Sequence, residues 1–153
     1  MEAGRERVVD AGLMRPYVAA FVERVTARNR LPLDYSVESL RVVDFVVDGL
    51  RKGAKVRTDV DGALFELGAY VGEVLVRRAG AVWVDYDDAQ RALFGQLIGV
   101  RMPDGRVWNP LGKVVKRFEI GAGESVRELY LQLHGRRRTR ARVCVGAGAK
   151  SGV

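Results

Sequence analysis

The apolar residues of this chain recur about every 3.6 positions as far as Gly80, every second position from Val82 to Trp108, and about every 3.6 again from Asn109 onward. A helix buries one stripe and a strand one alternating face, so this order of periods places helices at both ends and a small sheet between them. Within Pro16–Asn29 the residues Val18, Phe21, Val22 and Val25 fall on one helical face, and Pro16 suits the first turn. Leu31-Pro32 ends that helix, because a residue before proline is pushed out of helical geometry. A second helix is expected from Ser36, its N-cap, to Lys52, with a stripe of Leu40, Val43, Val47 and Leu50 and a stop at Gly53.

The third helix, expected over Val60–Ala79 and capped by Asp59 or Asp61, carries Ala63, Leu64, Leu67, Val71, Val74 and Leu75 on one face. It also carries Gly68 and Gly72, each costing about 1 kcal/mol against alanine in a helix interior. Four residues apart, they share one side, which points to close approach of another backbone. Alternation over Val82–Tyr86 and over Phe94–Met102 predicts two strands. Met102-Pro103-Asp104-Gly105-Arg106 is a turn, and a short third strand over Arg106–Trp108 follows it. Asn109-Pro110 opens a helix with Leu111, Val114, Val115 and Phe118 on one face, and a last helix repeats that spacing through Val126, Leu129, Tyr130 and Leu133. The expected fold is α+β: three N-terminal helices, a three-stranded antiparallel sheet and two C-terminal helices, forming one domain over residues 1–135.

Composition agrees with a packed soluble chain, at 48% hydrophobic and 29% charged over 153 residues. The longest apolar run, Tyr17–Val22, is far short of the roughly 20 residues that span a bilayer. The N-terminus has no apolar signal core and Cys144 is the single cysteine, so a cytoplasmic location without membrane association is expected. The net charge of +7 is localised: from Gly135 onward there are six basic residues and no acidic one. That segment, 136–153, is expected to be a disordered tail. Its residues Arg136, Arg137, Arg138, Arg140 and Arg142 would contact nucleic-acid phosphates through counterion release, or would simply be solvated.

Catalytic chemistry has thin support in the residues. His134, the only histidine, sits at an expected helix C-terminus, and Cys144 has no histidine near it in sequence. Asp59-Val60-Asp61-Gly62 begins like a calcium loop but has Tyr70 where the bidentate acid belongs. Asp85-Tyr86-Asp87-Asp88 fails in the same way, with Gln96 at that place, and reads as a solvated loop. Gly121-Ala122-Gly123 follows a helix rather than a strand and lacks a phosphate-binding lysine, so it reads as a helix connector. No cofactor, metal or catalytic set is expected.

Three stretches nevertheless form a pattern: Leu33-Asp34-Tyr35-Ser36-Val37-Glu38-Ser39-Leu40; then Leu67-Gly68-Ala69-Tyr70-Val71-Gly72-Glu73-Val74 leading through Arg77 and Gly80 to Trp83; then Asn109-Pro110 leading to Val115-Lys116-Arg117. In order and spacing this resembles an uncharacterised group of small bacterial proteins, the domain of unknown function catalogued as 3806, over about residues 31 to 134. The resemblance implies a small α+β bacterial domain and no particular activity, cofactor or catalytic residue.

Within the pattern, Glu66, Tyr70 and Glu73 are spaced to lie on the side of the third helix away from much of its apolar stripe, while Lys116 and Arg117 belong to the helix after the sheet. A Glu73 pair with Arg117 or Lys116 would lock the two helices together. If these groups instead line a groove with Trp83 or Trp108, they are binding-site candidates. The residues are compatible with either arrangement. The expected role is a non-enzymatic cytoplasmic protein-binding or adaptor module; the alternative is a nucleic-acid-associated protein using the arginine-rich tail.

Overall fold

The computed structural model describes residues 10–53 and 56–132. The fold is α+β, with six α-helices and one three-stranded sheet among the described residues. In chain order these are α1 (Met14–Asn29), α2 (Leu40–Gly53), α3 (Asp61–Ala79), β1 (Val82–Asp85), α4 (Asp88–Phe94), β2 (Ile98–Arg101), β3 (Val107–Trp108), α5 (Pro110–Ile120) and α6 over 126–132. No described helix is long and apolar enough to cross a membrane.

α3 is the axis of the core. From Leu67 to Leu75 every residue is buried, enclosed by α1, α2, α5 and the sheet. Full burial of a Leu or Val side chain contributes about 1.5–3 kcal/mol, so this helix concentrates much of the folding free energy. The close approach expected at its glycines is present at one of them. A Cβ on Gly68 would lie 2.8 Å from Leu111 Cα on α5, so the two helix backbones touch there. At Gly72 the space is taken instead by the Trp83 indole, 2.1 Å from where a Cβ would sit.

The sheet is antiparallel in the order β1-β2-β3, pairing Trp83 with Val100, Val84 with Gly99, and Val100 with Trp108. The expected turn joins β2 to β3: Gly105 has φ 87°, and Met102 N donates to Arg106 O at 2.8 Å. Between β1 and β2 the structure departs from the sequence reading. Asp87 and Asp88 belong to no solvated loop; Asp87 caps α4, accepting from Gln90 N at 2.8 Å while its own N donates to the Gln90 side chain. The strand expected from Phe94 begins only at Ile98, because α4 runs to Phe94 and ends on Gly95 at φ 66°.

Two helix starts also move. α2 begins at Leu40 rather than Ser36; residues 36–40 form tight turns in which Ser36 Oγ accepts from Ser39 N at 3.1 Å. α3 has Val60 at its N-cap with no side-chain cap bond, so neither Asp59 nor Asp61 caps it.

Candidate functional site

Glu73 is fully buried on α3, although its spacing placed it away from the apolar stripe. The reason is that α3 is covered on several sides, and Tyr70 is buried with it. With no Cβ at Gly72, the Trp83 indole lies against α3 and its Nε1 donates to Glu73 Oε2 at 2.9 Å. Arg77 Nε donates to the other oxygen at 3.2 Å, and Arg15 Nε lies 3.6 Å from it. The Arg77 guanidinium sits 3.6 Å over the Tyr35 ring, a cation–π contact. Tyr35 is held in the left-handed region at φ 62°: its N donates to Tyr70 Oη at 2.9 Å and its carbonyl accepts from Arg78 Nε at 2.9 Å. Tyr70 Oη and Ser39 Oγ share a further bond at 2.5 Å. Burial pushes the Tyr70 hydroxyl pKa up, against the pull of its bond with Ser39. The first two stretches of the pattern thus meet in one polar cluster that pins the 34–39 turn and β1 to α3.

The expected lock between Glu73 and Arg117 or Lys116 is not made. Arg117 faces α2: its Nε donates to Asp44 Oδ1 at 3.2 Å and its Nη1 to Asp48 Oδ1 at 3.1 Å. Asp44 also accepts from Ser125 Oγ at 2.7 Å and from Val126 N at 2.9 Å, so one carboxylate caps α6 from another element and joins it to α2 and α5. Glu66 is separate again, bonded to Arg24 of α1 at 2.5 Å.

Trp108 and Lys116 do come together, in a groove of about 590 Å³ between the end of α4, β3, α5 and the start of α6. Asn109 builds it. Its side chain accepts from Gly112 N at 3.0 Å, starting α5, and donates to Phe94 O at 3.0 Å, fixing the end of α4. Tyr86 passes beneath Gly99, stacks near Phe94 at 5.0 Å and donates to Trp108 O at 2.6 Å, which seats β3. Leu93, Phe94, Val107, Trp108, Val115 and Leu129 supply the apolar walls. Lys113, which pairs with Glu124, and Lys116 supply cations, and Glu119 and Glu124 supply as many carboxylates.

Two features belong to residues that line or adjoin this groove. Trp108 Nε1 is buried and has no hydrogen-bond partner among the described residues. Leaving such a donor unmet costs about 1–3 kcal/mol. Leu93, on the groove wall, is 76% exposed, and Leu97, next to the lining residue Gln96, is 46% exposed. Neither leucine was singled out by the sequence. α4 has no buried residue and so no apolar stripe to read, and its own signal, the Asp87–Gln90 capping box, was masked by the aspartates around it.

Of the sequence candidates, then, Glu73 and Trp83 bond directly, Tyr70 joins them through Tyr35 and Arg77, Trp108 and Lys116 share the groove, and Glu66 and Arg117 serve other contacts. Arg136, Arg137, Arg138, Arg140 and Arg142 lie outside the described residues. No family model matches the chain, and no significant match is found among curated proteins or solved structures.

Proposed function

We propose that the chain is a non-enzymatic protein-binding module whose recognition surface is the groove between α4, β3 and α5. The observation that supports this reading is the largely exposed Leu93 beside a groove whose walls include Phe94, Val107, Trp108, Val115 and Leu129. Contiguous exposed apolar surface is unfavourable in water and characterises interaction sites, and a partner that covers it recovers the burial free energy. The polar cluster around Glu73 supports the reading in another way. It holds β1 and the 34–39 turn rigidly on α3, and a rigid scaffold loses little entropy when a partner docks. A cytoplasmic location and kinship with the bacterial family named above belong to the same proposal.

The test is affinity capture from lysate of the source cells with wild-type chain and with a Leu93→Asp/Leu97→Asp variant of unchanged circular dichroism. A discrete partner held by the wild type and lost by the variant is expected. A partner held equally by both overturns the assignment to this groove. Capture of none, together with a thermal shift from a metabolite, overturns the protein-binding reading.

A further inference from the structure

A cavity of about 350 Å³ lies between α1, α2 and the first turns of α3 and shares no lining residue with the groove. Its size falls at the low end of the range, about 300–1,000 Å³, that holds small molecules. The helices that meet there make it apolar. Phe21 and Leu67 are its most buried residues, and Val25, Leu31, Val46 and Leu50 complete the walls. None of these six is largely exposed, so apolar surface does not run past the rim as it does at Leu93, and the shape suits a small ligand rather than a protein surface. Three charged groups line the cavity: Arg24, Arg28 and Glu66. Arg24 is committed twice, donating to Glu66 Oε2 at 2.5 Å and lying over the Phe21 ring at 5.8 Å. Arg28, one turn further along α1 and therefore on the same side, makes no hydrogen bond or ion pair among the described residues. The lining thus carries one net positive charge, and it belongs to a guanidinium, whose fork of donors matches a carboxylate.

We propose that this cavity binds a small amphipathic carboxylate of the aliphatic-acid class. Its apolar tail lies against Phe21 and Leu67, and its carboxylate pairs with Arg28 at the mouth. The Arg24–Glu66 pair closes one side without competing for the ligand's charge, because each group already has its partner. A neutral ligand of the same tail forgoes the charged hydrogen bonds, and a cationic one meets Arg28 with like charge, so the head group decides the selectivity. This site is independent of the groove and of what the groove binds.

Titration calorimetry of the full chain with octanoate, 1-octanol and octylamine tests this. Octanoate is expected to bind at one site per chain, with the alcohol and the amine at least about tenfold weaker. Arg28→Gln, on the exposed side of α1, is expected to weaken octanoate about tenfold and to leave 1-octanol unchanged. Ala63→Trp, which fills the mouth from an exposed position on α3, is expected to abolish binding with circular dichroism unchanged. Octanoate that binds no better than 1-octanol, or binds Arg28→Gln as well as the wild type, overturns the carboxylate assignment. Binding that survives Ala63→Trp, occupies several sites per chain, or is absent for all three probes overturns the site.

Discussion

Arg117 Nε lies 3.2 Å from Asp44 Oδ1, a bond across 73 positions of sequence that fastens α5 to α2. Glu73, whose chemistry equally suits Arg117, is occupied by Trp83, Arg77 and Arg15. Arg117 is nearly inaccessible, and removing it leaves the largely buried Asp44 carboxylate without its countercharge, held by Ser125 and Val126. Arg117→Met is therefore expected to cost about 1–3 kcal/mol in urea unfolding, below the cost of a fully uncompensated buried charge. A double-mutant cycle decides the pairing: coupling of Arg117 with Asp44 is expected above about 1 kcal/mol, and with Glu73 below about 0.5 kcal/mol.

The two glycines of α3 are required by packing, whereas one glycine of α2 is not. Gly68→Ala would drive a methyl against the Leu111 backbone and Gly72→Ala would drive one into the Trp83 ring. Each is expected to destabilise by about 1–3 kcal/mol despite alanine's better helix propensity. Nothing lies within 4 Å of a Cβ on Gly49, inside α2, so Gly49→Ala is expected to stabilise by about 0.5–1 kcal/mol. Thermal unfolding of the three variants against wild type gives the comparison.

Asp44 holds the start of α6 through the Ser125 hydroxyl and the Val126 amide. Ser125→Ala, which removes the hydroxyl that accepts from Glu128 N and leaves the Arg117 pair intact, is expected to raise amide hydrogen exchange over residues 126–132 by at least about tenfold while leaving α3 protected, since a lost cap is felt first by the helix it starts. Equal loss of protection across both helices would mean that α6 does not open on its own.

Stability is expected to fall on both sides of neutrality. The Arg117 bond holds Asp48 below the usual carboxylate range, the Lys113 bond does so for Glu124, and the Ser36 bond does so for Asp34. These groups bind protons more weakly in the folded chain. Their contribution is full above the unfolded value near 4 and is lost as pH falls through the lower folded values. Tyr86 behaves oppositely: burial pushes its phenol far above the usual value, so stability declines as pH rises past about 10 and the unfolded chain ionises first. Urea midpoints measured from about pH 3 to about pH 11 should show both flanks, with Asp48→Asn reducing the acid one.

The helices with deep apolar stripes were legible in the sequence because burial writes a period: α1, α3 and α5 lie within a few residues of where Val18, Leu64 and Leu111 put them. α4 was not, since a helix without a buried face leaves only capping chemistry, and Asp87 reads equally well as a solvated loop residue. The candidate site divides the same way. Trp108 and Lys116 stood out by type, but that Asn109 would tether the end of α4 beside them depends on a contact 15 residues back, and Arg117 choosing Asp44 over Glu73 depends on which face of α3 meets β1.

The indole N–H resonances of the chain's two tryptophans offer the most direct measurement of how the groove works. Trp83 Nε1 already has its acceptor in Glu73, and Trp108 Nε1 has none among the described residues. In a ¹⁵N-labelled sample titrated with the partner captured by the wild-type chain, the Trp108 indole signal is expected to shift and saturate with binding, because Trp108 lines the groove, while the Trp83 signal stays in place. Movement of Trp83 alone, or of neither signal as the partner binds, would contradict the groove as the recognition site.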